Sequence, residues 1–113
     1  MSRIFIIGAT GHIGGAVLEE IAKSHPTAEV SVLVRDRLKA KHLVEQYNDL
    51  NLTTIIGGLE SIDVIENAAK EARIVINTAP DIIHEAGIAA IVRGLEARSE
   101  KGYYIHTSGA AIT

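Results

Sequence analysis

The sequence predicts an α/β fold, a doubly wound parallel sheet of about five strands with helices on its faces. Three observations carry that expectation. Short β-branched apolar runs alternate with amphipathic helical patterns along the whole chain, as in strands joined by crossover helices. Gly8, Gly11 and Gly14 stand between the first apolar run and the first helical pattern. With 113 residues, 47% of them hydrophobic, the chain is long enough for one compact domain with a core and too short for two.

Residues 4–7 read as the first strand, and Ile13, Val17, Leu18 and Ile21 then recur at helical spacing until His25 and Pro26 stop the helix. Residues 30–34 form the second strand. The charged stretch 37–47 follows as a helix whose thin apolar stripe is Leu38, Leu43 and Val44. Residues 52–56 are the third strand and Gly57-Gly58 its turn. Ser61 is expected to N-cap the next helix, which runs through Ala72, by accepting one of its orphan amide hydrogens. Residues 74–76 make the fourth strand, which Pro80 cannot continue. A helix over 82–98 ends in basic residues and Gly102, and residues 103–106 are the fifth strand.

Composition excludes several functions. The formal net charge is −3 and the Lys and Arg residues are spread along the chain, so no nucleic-acid footprint is expected. The absence of Cys rules out disulfides, thiolate catalysis and Cys-ligated zinc, and fits a reducing, cytoplasmic compartment. The N-terminal apolar run breaks at Gly8, and no later segment is long enough for a membrane span, so a soluble protein is expected. The five His residues lack the paired spacing of a metal site.

The glycine turn carries the chemistry. In Gly8-Ala9-Thr10-Gly11-His12-Ile13-Gly14, Gly8 permits the sharp turn, Gly11 lets backbone amides approach a pyrophosphate, and Gly14 lets the helix pack close to the sheet. The helix opening near His12 and Ile13 then offers free N–H groups and the positive end of its dipole to the phosphates. His12 itself is read equally well as an exposed side chain. The whole of residues 1–113 is thus read as one NAD(P)-binding domain of Rossmann type.

The spacing G-x-x-G-x-x-G resembles that of the extended and atypical short-chain dehydrogenase/reductases, and the resemblance runs over nearly the whole chain. It is nearest the branch that contains NmrA-like proteins, isoflavone-reductase-like enzymes and nucleoside-diphosphate-sugar epimerases. In this family the end of the second strand selects the cofactor: an acidic residue holds the ribose of NAD, and an Arg accommodates the 2′-phosphate of NADP. Here Arg35 holds the selector position with Arg37 close behind, which favours NADP(H). Asp36 between them keeps NAD(H) open, and Arg-Asp-Arg also suits the cap of the next helix.

The resemblance further implies an adenine contact after the third strand, where the family shows Gly-Asp-Leu and this chain has Gly57-Gly58-Leu59. That leaves Leu59 as apolar lining and Gly58 as a backbone contact. Asn77-Thr78-Ala79-Pro80 resembles the segment that passes beneath the nicotinamide-side ribose, implying contacts from Thr78, Ala79 and Pro80; a plain turn before a helix is the other reading. His106-Thr107-Ser108 is similar to the family's Ser/Thr-Ser segment, with Ser108 placed to orient the substrate and Thr107 beside it. The family's catalytic Tyr-x-x-x-Lys belongs further along: four residues beyond Tyr47, Tyr103 and Tyr104 stand Asn51, Thr107 and Ser108. Asp81 and His84 stand at helical spacing, where Asp81 is more simply a partner for the helix dipole.

The resemblance therefore implies an NADP-dependent oxidoreductase, or an epimerase-like enzyme, acting on a small-molecule substrate, with an NmrA-like dinucleotide-sensing regulator as the alternative. The chain stops a few residues past its fifth strand, where a doubly wound fold normally adds another crossover, so a truncated sheet from a longer protein is expected. A strand left at such an edge invites self-association, and a homo-oligomer is expected.

Overall fold

The computed structural model describes residues 3–8, 12–48, 50–58, 61–78, 85–98 and 102–106. Its elements are β1 (Arg3–Ile7), α1 (His12–Ser24), β2 (Glu29–Val34), α2 (Arg37–Gln46), β3 (Asn51–Ile56), α3 (Ile62–Glu71), β4 (Ile74–Asn77), α4 (Glu85–Glu96) and β5 (Tyr103–His106). The five strands are parallel in the order β3-β2-β1-β4-β5, the expected doubly wound sheet. Strands one to four each run one residue further than the apolar runs suggested. Arg3 and Glu29 are in-register partners on β1 and β2, and their side chains meet at 2.8 Å, which lets polar residues occupy strand ends.

Alternation along the central strand divides the core in two. Ile4 and Ile6 of β1 point to the face covered by α1 and α2, where Leu18, Ile21, Val30, Val32, Val34, Ala40 and Leu43 are buried. Phe5 and Ile7 point to the face covered by α3 and α4, against Leu33, Ile65, Ala69, Val75 and Ile91. Burial on both faces is why β1 reads as an unbroken apolar run. Among the described residues no helix is long and apolar enough to cross a membrane.

Three local expectations are corrected. In α2 the buried residues are Ala40 and Leu43, whereas Leu38 and Val44 stay 59% and 43% exposed. Leu38 precedes Ala40 by two positions, about 200° around the helix, so it cannot share the inward face. Val44 shares that side but falls at the rim, in a groove with Ile56 of β3. Ser61 sits at the N-cap of α3, yet its hydroxyl makes no capping bond; it accepts from the Gly58 N–H at 3.1 Å, while the Ser61 N–H donates to the Gly58 carbonyl at 3.0 Å. The fourth helix ends at Glu96, and Arg98 beyond it donates to the carbonyls of Lys70 and Ala72. Its charge thus closes the carboxyl end of α3 rather than that of its own helix. The start expected for this helix, residues 82–84, lies outside the described residues.

The α3–α4 pair depends on Gly94. A Cβ there would lie 2.4 Å from the Glu66 carbonyl oxygen and 2.8 Å from the Ala69 Cβ. Intrinsic propensity favours Ala over Gly in a helix by about 1 kcal/mol, while forcing atoms into a packed interface costs about 1–3 kcal/mol. The backbone carbonyl cannot swing aside, so the steric cost prevails. Gly94→Ala is expected to lower the midpoint of chemical denaturation; a raised midpoint would mean that the two helices are not this close.

Candidate functional site

The sheet order reverses between β1 and β4, the two central strands from which the chain continues to opposite sides. From β1 the chain leads to α1 on one face, and from β4 to α4 on the other. The carboxyl ends of these strands therefore flank a crevice, the place where open α/β sheets bind ligands. Gly8, at the end of β1, has φ 89° and is the one described residue with positive φ. An L side chain would strain that turn. Helix α1 starts four residues later, at His12, with no acidic side chain in its first turn to offset the positive end of its dipole.

Two strand ends are clamped here. Thr78, just past β4, donates both its backbone N–H (2.9 Å) and its hydroxyl (2.8 Å) to the Ile7 carbonyl of β1. Thr78 is buried, and both its amide and its hydroxyl are committed to the protein. Against this clamp α1 packs through Gly14. A Cβ at residue 14 would lie 1.9 Å from the Gly8 carbonyl oxygen and 2.6 Å from the Thr78 hydroxyl oxygen. The glycine is thus enforced by contact with both strand ends at once.

Beside the crevice, β2 ends at Val34, and Arg35, Asp36 and Arg37 follow, all exposed. Asp36 is the N-cap of α2, and its carboxylate accepts the Leu38 N–H at 2.8 Å. Of the two readings of Arg-Asp-Arg, the cap therefore holds for Asp36; Arg35 directly follows the carboxyl end of β2, and Arg37 opens α2 and borders a groove beside β3. After β3, Gly57 donates to the Val34 carbonyl at 2.9 Å, and buried Gly58 is closed into a tight loop by its reciprocal bonds with Ser61.

Asn77 is fully buried at the end of β4 and donates from Nδ2 to the Tyr104 hydroxyl at 3.1 Å. Tyr104 pairs with Val75, so the two side chains are diagonal neighbours on one face. Burial raises the Tyr104 phenol above its ordinary value, and the Asn77 hydrogen bond lowers it by less. This phenol stays protonated at neutral pH. Neither the Thr78 clamp nor this pair was anticipated, although a polar residue in a central strand signals a buried partner.

Of the expected site residues, Gly8, Gly14, Arg35, Gly58 and Thr78 surround the carboxyl ends of β1, β2, β3 and β4. For His12 and Ile13 only the helical backbone is described. Thr10, Gly11, Leu59, Ala79, Pro80, Thr107 and Ser108, together with Asp81 and His84, lie outside the described residues.

Comparison with known proteins agrees with this geometry. The chain is 38% identical over 110 residues to an oxidase, ucsJ, of Acremonium sp, covering 96% of this chain and 31% of the oxidase. It is 40% identical over 80 residues to phenylcoumaran benzylic ether reductase Betv6 of Betula pendula, covering 68% of this chain and 26% of the reductase. The chain thus spans about a third or less of the length of these relatives. Its fold is similar to that of a wide-type short-chain dehydrogenase/reductase from Veillonella parvula solved in complex with NADP, with TM-score 0.69, 22% identity, and coverage of 96% of this chain and 48% of that one. The model of the saccharopine dehydrogenase NADP binding domain matches residues 4–94. With that match over most of its length, and with the crevice in the place such domains use, this chain belongs to the saccharopine dehydrogenase NADP-binding domain family.

Proposed function

We propose that this chain is the cofactor-holding module of an NADPH-dependent reductase. The junction of Gly8, Gly14 and Thr78 carries the reading, because it brings the positive-φ end of β1 and the start of α1 together at the point where β1 and β4 diverge. Such a place suits a pyrophosphate, which needs close approach to amides and no side chain in the way. Residues Gly8, Thr10, Gly11, His12, Ile13 and Gly14 cradle it. Arg35, with Arg37 beside it, grips the 2′-phosphate through charge-assisted hydrogen bonds. Asp36, the residue that kept NAD(H) open, holds its carboxylate on the α2 cap and so does not compete for the ribose. Gly58 and Leu59 line the adenine end. Thr78, Ala79, Pro80 and Thr107 border the nicotinamide end, and Ser108 orients the substrate.

When bound, the cofactor supplies hydride chemistry. The chain's own part is to hold and orient it. A reductase is supported by the similarity to phenylcoumaran benzylic ether reductase, whereas neither relative above is named as a regulator.

Titration with NADPH and NADH separates the claims. Arg35→Ala is expected to weaken NADPH about ten- to hundredfold, the worth of a charged hydrogen bond, and to leave NADH unchanged. Equal loss for both would remove Arg35 from the 2′-phosphate. Gly14→Ala is expected to abolish binding of both dinucleotides and to lower the denaturation midpoint, because its methyl group has nowhere to go but into the β1 carbonyl. Retained NADPH affinity in that variant would dissociate the junction from the cofactor.

A further inference from the structure

Strands β4 and β5 are four residues long, whereas β2 and β3 have six each. A shorter ladder fixes the carboxyl end of β4 less firmly, and side chains add to it. Two consecutive residues supply them. Thr78 ties this end to β1 through the Ile7 carbonyl, and Asn77 ties it to β5 through the Tyr104 hydroxyl. The wall that β4 gives to the crevice is thus held from both sides.

The setting of Asn77 makes its partner matter. In register with Ile7 of β1, its side chain points to the face where Phe5, Ile7, Val75 and Ile91 are buried, and it is fully buried itself. An amide among apolar side chains is held by its hydrogen bonds, because a buried N–H that loses its acceptor carries the whole cost of leaving water. Tyr104 stands opposite Val75, two residues before Asn77, and its ring, partly buried against the same cluster, carries the hydroxyl to the level of residue 77. A phenylalanine would fill the same space and leave the amide short of this acceptor. Any shift of Asn77 toward another partner passes through one peptide bond to Thr78, whose amide and hydroxyl share a single acceptor.

We propose that Tyr104 is a positioning residue of the cofactor site: acting through Asn77, it keeps Thr78 in the clamp on β1 and so sets the nicotinamide end of the crevice. The hydrogen bonds carry the first half of this statement; the second rests on the reading of the crevice as an NADPH site. The other end of the crevice is held separately, because the Gly57 amide donates to the Val34 carbonyl between β3 and β2. Loss of the Tyr104 hydroxyl therefore loosens one end and spares the other.

Amide hydrogen exchange in the full chain tests the first half without any ligand. Tyr104→Phe is expected to speed exchange of the Thr78 amide about tenfold, the worth of one hydrogen bond, and to leave the Gly57 amide unchanged. An unchanged Thr78 amide, or equal acceleration of both amides as in a general loss of stability, overturns the proposal. Should Tyr104→Phe fail to fold, Asn77→Ser, which keeps a polar group but is too short to reach the Tyr104 hydroxyl, is held to the same two amides. Titration tests the second half. Tyr104→Phe is expected to weaken NADPH about tenfold and to leave adenosine 2′,5′-bisphosphate, which lacks the nicotinamide side, bound as before. Equal loss of both ligands, or of neither, overturns the role at the nicotinamide end. A native chain that binds no NADPH overturns the cofactor reading itself, and the exchange result then stands or falls alone.

Discussion

Everything at the candidate site depends on one steric constraint, the missing Cβ at residue 14. Helix α1 comes so near the end of β1 that the Gly8 carbonyl occupies the space of any side chain, and the Thr78 hydroxyl stands on the other side of the same gap. That hydroxyl is fixed in turn by the Ile7 carbonyl, which also accepts the Thr78 amide. Two strand ends and one helix thereby meet at residue 14, with the Thr78 side chain bridging the strands. With these contacts satisfied, the chain leaves β1 at Gly8 beside the start of α1, the kind of place that suits a large anion.

Charge is distributed to suit the same end of the sheet. The first turn of α1 carries no carboxylate that would cancel its dipole, whereas the cap of α2 does carry one. Asp36 satisfies an amide that would otherwise be orphaned, which holds its carboxylate on the α2 cap. Arg35 and Arg37 flank it in sequence without sharing its task. At the other end of the molecule Arg98 serves a comparable purpose for α3, a positive group at a helix carboxyl terminus.

The strands were legible because both faces of β1 are buried, because β2 and β4 are β-branched apolar runs with at least one buried face, and because glycines and prolines punctuate them. The glycine turn was legible down to the separate tasks of Gly8 and Gly14, since a positive φ and a close helix each demand the same residue for a different reason. Less could be read where a side chain had two good options. Ser61 had the composition of a cap and instead closes the Gly58 loop. Leu38 had the hydrophobicity of a core residue but the wrong angle around α2. The partnership of Asn77 with Tyr104 and that of Thr78 with Ile7 join residues far apart in the chain, and local pattern holds no register information of that range.

The Thr78 clamp also orders the assembly of the molecule in time. It joins residues 71 positions apart, and closing a loop of that length costs conformational entropy before any contact offsets it. The units β1-α1-β2 and β2-α2-β3 pair neighbours in sequence and can form as the chain leaves the ribosome. The crevice cannot: one of its walls is the end of β4, which arrives only after α3 has crossed the sheet. Competence for the dinucleotide is therefore acquired late in folding, in the step that brings the two halves of the sheet together.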